Sequence, residues 1–167
     1  QTISPEDYAK VLAERKAEAL GLHLKKTSED VPELPTFILG SDTIVDLNGH
    51  ILNKPTDEPD AIRMLQSLSG NWHRVHTGVA LYKVSKSTEV TLVSSFTDTA
   101  NVEFARLSQE DIEAYVDTKE PLDKAGSYGI QGIGGQLVMR MEGDFFTVMG
   151  LPMHRVSKSL AEAMTDL

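Results

Sequence analysis

Two long stretches in which polar and apolar residues interleave, Trp72 to Val84 and Val90 to Phe104, are separated only by residues 85–89, of which Ser85-Lys86-Ser87-Thr88 reads as a turn. Interleaving is the pattern of a pleated strand with one buried face. A parallel pair needs a crossover of roughly a dozen residues or more, so a connection this short must fold the two strands back on each other. The chain is therefore expected to be an α/β protein whose sheet is mixed or largely antiparallel, with flanking helices, rather than a doubly wound parallel fold.

A second hairpin is written into residues 36–53. Thr36-Phe37-Ile38-Leu39 and Ile44-Val45 are the β-branched and aromatic residues that suit a half-buried strand. Asn48-Gly49 supplies the two positive-φ positions of a tight turn, and the return strand His50-Ile51-Leu52-Asn53 delivers Lys54-Pro55 to the loop beyond. Inside the first strand sits Asp42, within Gly40-Ser41-Asp42-Thr43-Ile44-Val45. An unpaired carboxylate there would cost several kcal/mol, so a metal ion or a lysine is expected beside it. On the residues alone, a metal-binding or catalytic Asp42 and a structural one that caps a turn or pairs a lysine stand level.

Helices are expected between and around these strands. Ser4-Pro5-Glu6-Asp7 opens one with a cap, a proline at the first helical position and two acids in the first turn. Its apolar stripe reads as Tyr8, Leu12, Ala19 and Leu20, with Gly21 as its stop and His23 to Pro35 as a surface loop. Thr56-Asp57-Glu58-Pro59 starts a second, with Ala61, Met64, Leu65 and Leu68 inward and Gly70 ending it. Ser108 to Asp111 resembles a capping box before Ile112, Tyr115 and Val116. A glycine-rich loop, a strand, a hairpin around Glu142-Gly143-Asp144 and a helix from about Pro152, with Val156, Leu160 and Met164 inward, complete the chain.

At 167 residues the chain reads as one domain over residues 1–167, without repeats or a linker between two cores. It has no cysteine, which excludes disulfides, thiolate metal sites and cysteine nucleophiles and favours a cytoplasmic setting. A net charge of −9 argues against a nucleic-acid polymer as partner. No apolar run approaches the roughly 20 residues of a membrane span. His73 and His76 face opposite sides of a strand, and His23, His50 and His154 are scattered, so a histidine zinc site is not expected. The glycines from Gly126 to Gly135 are followed by a strand rather than a helix, so they are not a dinucleotide fingerprint.

Several segments recur together in one family. In order they are Ser41-Asp42-Thr43-Ile44-Val45, Lys54-Pro55, Ser69-Gly70, His76-Thr77-Gly78-Val79, Asp123-Lys124-Ala125-Gly126-Ser127-Tyr128-Gly129-Ile130-Gln131-Gly132, and Gly143-Asp144-Phe145-Phe146-Thr147-Val148-Met149-Gly150-Leu151-Pro152. With them, nearly the whole chain resembles the Maf family of nucleotide pyrophosphatases. The resemblance implies a Maf/inosine triphosphatase-like fold: an elongated, curved mixed sheet and two lobes around a nucleotide cleft. It implies hydrolysis of nucleoside triphosphates, in the dTTP and UTP branch with modified pyrimidine nucleotides as further candidates, to the monophosphate and pyrophosphate, with Mg or Mn. Nucleotide-pool sanitation and a homodimer follow from the same resemblance.

Roles carry over to matching positions. Asp42 is expected to serve as metal ligand or general base, and Lys54, Lys124 and Lys16 as phosphate-binding ammonium groups. Gln131 is expected to read the base, because its amide offers a donor and an acceptor to the O4 and N3–H edge of uracil or thymine. Thr77 is a candidate for the base or sugar, Tyr128 and Trp72 for stacking, and Asp123 for orienting Lys124. A start at Gln1, without a methionine and directly into a helix, is expected of a sequence that begins inside a longer polypeptide. The family's first strand, its Ser-x-x-Arg-Arg loop and a following glutamate have no match in residues 1–167, and disorder, removal and absence from the protein stay open as the reason. The alternative reading is a catalytically weak nucleotide-binding or regulatory domain, part of a larger protein.

Overall fold

Helix α1 (Pro5–Thr27) is the first element of the computed structural model, which describes residues 3–27, 36–85 and 89–165. The Ser4 hydroxyl accepts from the Asp7 N–H at 3.1 Å and caps the helix as expected. The helix runs through Gly21 to Thr27 instead of stopping there, and residues 28–35 of the expected loop lie outside the described residues. Its buried stripe is Ala9, Ala13, Ala17 and Gly21, not the larger residues expected. The reason is close approach to the sheet. A Cβ on Gly40 would stand 2.5 Å from the Ala13 carbonyl oxygen and 2.8 Å from the Ala17 Cβ, and one on Gly78 would overlap the Ala9 carbonyl. Only small side chains fit beneath a helix held that near, and Leu20 is left 48% exposed.

Strand β1 (Thr36–Leu47) turns through Asn48 (φ 53°) and Gly49 (φ 86°) into β2 (His50–Leu52). Asp46 pairs with Ile51 in this antiparallel register. Helix α2 (Glu58–Leu68) follows, capped by Asp57, with Ala61, Met64, Leu65 and Leu68 buried. The two long strands are β3 (Trp72–Val84) and β4 (Thr91–Phe104), and residues 86–88 of their connection lie outside the described residues. Helix α3 (Gln109–Asp117) carries the Ser108–Asp111 capping box and buries Ile112, Tyr115 and Val116. Short 3-10 turns lead to β5 (Val138–Glu142), antiparallel to β4. The five strands form one open antiparallel sheet in the order β2-β1-β3-β4-β5.

The end of the chain departs from expectation in two places. No hairpin forms around Gly143: that residue, at φ 114°, turns the chain into the short helix α4 (Phe145–Met149), whose start is held by Asp144 accepting from the Phe146 N–H at 3.0 Å. Helix α5 (Met153–Thr165) buries Val156 and Ala163, whereas Leu160 is half-buried and Met164 is 62% exposed.

The chain divides into two compact units that alternate along the sequence. The first comprises Gln1–Asp42, Thr77–Asp98 and Gly150–Leu167, and the second Thr43–His76 and Thr99–Met149. Strands β1 and β4 run from the first into the second, and β3 returns. In the first unit Ala13, Ala17, Ile38, Ala80, Tyr82 and Val84 form an apolar cluster. The second has a larger core around Leu65, Leu68, Val102, Phe104, Tyr115 and Tyr128. Among the described residues no helix is long and apolar enough to cross a membrane.

Candidate active-site residues

In the first unit, α1 and β1 bring Lys16 onto Asp42. Lys16 follows the buried Ala13 by one turn of helix and neighbours Ala17, so the contact that seats the helix on Gly40 also directs this lysine toward the strand. Its Nζ contacts Asp42 Oδ1, the lysine side chain being largely exposed and the aspartate nearly buried. The cation called for by a carboxylate in this strand is therefore Lys16. The adjacent Ser41 hydroxyl donates to the Gly150 carbonyl at 2.6 Å, tying the aspartate's strand to the Gly150-Leu151-Pro152 segment. Thr77 lies in β3 of the same unit and is fully buried.

The other candidates belong to the second unit. Lys54 is exposed just beyond β2 and Pro55 after it is buried. The Gly126 N–H donates to the Asn53 carbonyl at 3.2 Å, joining the Lys54 loop to the glycine-rich segment. In that segment Lys124 donates to Asp123 at 2.8 Å. The Lys124 ammonium, with Lys54 adding to it, holds the Asp123 carboxyl below its usual range. Asp123 thus orients Lys124 and stands in the field of both lysines. The stem of Lys124 lies across Gly129, where a Cβ would meet its Cε at 2.6 Å. Gln131 is exposed two residues further on.

The aromatic candidates divide. Tyr128 is buried against Phe104 and His73, with ring centroids 4.7 and 5.5 Å away, and belongs to the core rather than to a stacking surface. Trp72 is 37% exposed but already carries the Arg140 guanidinium 5.1 Å from its ring centroid. His73 meets the Tyr128 hydroxyl at 2.8 Å and His76 meets Thr99 at 2.8 Å, so the two histidines serve separate surroundings.

Two carboxylates of the second unit were not singled out in the sequence. Asp46 is buried, accepts from the Gly49 N–H at 2.6 Å and pairs with Arg74 at 2.6 Å, with His76 at 3.4 Å. An aspartate three residues before the glycine of a tight turn is a signal that could have found it. Glu120 accepts from the Ile133 N–H at 2.9 Å, the Gly134 N–H at 3.0 Å and the Tyr115 hydroxyl at 2.8 Å. Burial alone would raise the Glu120 carboxyl, but those donors and the Lys124 charge outweigh it and hold the group below its ordinary value.

Among the described residues no group of three His, Asp or Glu side chains is arranged to hold a metal ion. A single carboxylate at Asp42 still suits a hard divalent cation, since magnesium commonly takes one or two carboxylates and completes its shell with water and substrate phosphate.

A family model described as Maf-like protein matches residues 1–163. The chain is 46% identical to a dTTP/UTP pyrophosphatase of Acholeplasma laidlawii over 155 residues, 93% of this chain and 74% of that protein. It is 45% identical to one of Bacillus cytotoxicus over 159 residues, 95% of this chain and 75% of the relative. A dTTP/UTP pyrophosphatase of Clostridium novyi is 39% identical over 160 residues, 96% and 78% of the two chains. The chain belongs to the Maf-like protein family.

Proposed function

We propose that the chain is a metal-dependent nucleoside triphosphate pyrophosphatase that converts dTTP and UTP to the monophosphate and pyrophosphate. The observation that carries this reading is identity of 39–46% over more than nine-tenths of the chain to the named dTTP/UTP pyrophosphatases. Asp42, Lys54 and Lys124 are the carboxylate and ammonium groups assigned here to such a hydrolysis.

In the proposed reaction a water oxygen bonds to the α-phosphorus while the bond from that phosphorus to the bridging oxygen breaks. Pyrophosphate leaves with that oxygen. Asp42 takes the proton of the attacking water. Lys16 engages Oδ1 of Asp42, so Oδ2 is the oxygen assigned to the water or to the ion. Magnesium or manganese, held by Asp42, would neutralise charge on the phosphates. Lys54 and Lys124 bind phosphate oxygens, and the short bond to Asp123 keeps Lys124 extended across Gly129. Gln131 reads the O4 and N3–H edge of the base, a carbonyl beside an N–H that cytosine and adenine do not present. Removal of dTTP, UTP or modified relatives from the nucleotide pool is the corresponding role, and the family resemblance supports a homodimer.

The test is pyrophosphate release across the common ribo- and deoxyribonucleoside triphosphates, with and without Mg or Mn. Selective, metal-dependent turnover of dTTP and UTP is expected. Tight binding without turnover would replace the enzyme by the nucleotide-binding reading.

A further inference from the structure

Gln131 sits in a segment that packing alone does not fix. Its neighbour Ile133 is 47% exposed, and a cavity of about 410 Å³ lined by Tyr115, Ile133, Gln136 and Leu137 opens behind the turn. Besides its own turn bonds, from the Gly132 N–H to the Gly129 carbonyl and from the Gly135 N–H to the Gly132 carbonyl, both at 3.2 Å, the segment is held by a pair of polar side chains. Oε2 of Glu120 accepts from the Ile133 N–H at 2.9 Å, and Oε1 accepts from the Gly134 N–H at 3.0 Å. The Tyr115 hydroxyl donates to Oε1 at 2.8 Å and accepts from the Gly129 N–H at 3.2 Å. The backbone is therefore pinned two residues before Gln131 and two and three residues after it.

The geometry admits few substitutes. A Cβ on Gly132 would overlap the Glu120 carboxylate, and one on Gly134 would overlap the Tyr115 hydroxyl, so the backbone lies directly on the two groups. Both oxygens of Glu120 accept, which a carboxylate does and a primary amide cannot. The Glu120 backbone is itself tied down, its N–H donating to the Thr118 hydroxyl at 3.3 Å.

We infer that Glu120 and Tyr115 are positioning residues for base selection, holding the Gly129–Gly134 backbone so that the Gln131 amide keeps one orientation toward the pyrimidine edge. This rests on the reading of Gln131 as the base reader. Neither residue need touch the nucleotide. Discrimination between bases depends on which end of an amide faces the ring, so a turn that rocks lowers discrimination more than it lowers turnover.

The experiment compares kcat/KM for dTTP over dCTP in the wild type, Tyr115→Phe, Glu120→Gln, Gln131→Ala and Lys54→Ala. Where turnover is low, the same ratio is taken from dissociation constants of non-hydrolysable analogues. Tyr115→Phe removes one oxygen and keeps the ring, so it reports even if Glu120→Gln does not fold. Both clamp variants are expected to lower the ratio at least tenfold, mainly through a higher KM for dTTP, while Lys54→Ala weakens both nucleotides alike and leaves the ratio in place. A ratio within twofold of wild type in a folded clamp variant, with Gln131→Ala lowering it, would overturn the positioning role alone. A ratio unmoved by Gln131→Ala would overturn the base reader and the inference built on it.

Discussion

Lys16 of α1 sets its ammonium against the Asp42 carboxylate of β1, and that pairing is made possible two residues earlier, where Gly40 lets the helix backbone settle on the strand. Packing and chemistry share one contact. The lysine side chain is 60% exposed, so the pair adds little to stability, about 0–1 kcal/mol. The contact holds the Asp42 carboxylate in place within the strand.

Gly40 is accordingly expected to tolerate no side chain. Gly40→Ala should lower stability by about 2 kcal/mol or more in urea denaturation, since helix backbone rather than a yielding side chain opposes the new methyl. Gly49, whose Cβ would meet nothing, should lose only about 1 kcal/mol on the same change, from its left-handed backbone.

The two aspartates of β1 should separate cleanly. Asp46→Ala removes an acceptor shared by the Gly49 N–H, Arg74 and His76 inside the second unit. A stability loss of about 2 kcal/mol or more is expected, read as a shifted denaturation midpoint. Asp42→Asn should shift that midpoint by less than about 1 kcal/mol.

Acid should weaken the fold through His73. Burial lowers it from 6.5 to about 4, with its Nδ1 lacking a partner among the described residues. Above pH 6.5 both folded and unfolded states are neutral and the contribution is complete; between 6.5 and about 4 only the unfolded chain takes up the proton, so stability falls as pH falls. The gap corresponds to on the order of 3 kcal/mol. Urea midpoints at neutral pH and near pH 4 should show the drop, and His73→Gln should flatten it.

Glu120 acts on the acid side as well. Its folded-state value lies below the ordinary carboxylate, so its stabilisation is complete above that ordinary value and is lost as pH falls through the folded-state value. Amide exchange at Ile133 and Gly134 should accelerate there beyond the trend of the other amides. Unchanged protection of those two N–H groups in Glu120→Gln would contradict the clamp.

What the sequence made legible was local. The Asn48-Gly49 turn, the helix start at Thr56-Asp57-Glu58-Pro59, the Ser108 cap and the spacing of Ala61, Met64, Leu65 and Leu68 act within a few residues, and each appears where expected. The buried face of α1 did not, because it is dictated by glycines in distant strands that draw the helix too near for leucine. The candidates Asp42, Lys54, Lys124 and Gln131 were visible as motif positions. Glu120 was not, since it works through backbone N–H groups that leave no mark on side-chain patterns. Asp46 looks like Asp42 on paper, and only its buried partners tell them apart. The two units interleave along the chain, so no linker marked their boundary.

The most direct measurement is pyrophosphate release from dTTP and UTP by the wild type and by Asp42→Asn, each first shown to be folded by circular dichroism. Loss of turnover on the order of a thousandfold in the variant, with its denaturation midpoint nearly unmoved, is the expected result. Asp42→Asn releasing pyrophosphate at the wild-type rate would contradict the assignment of the reaction to this carboxylate.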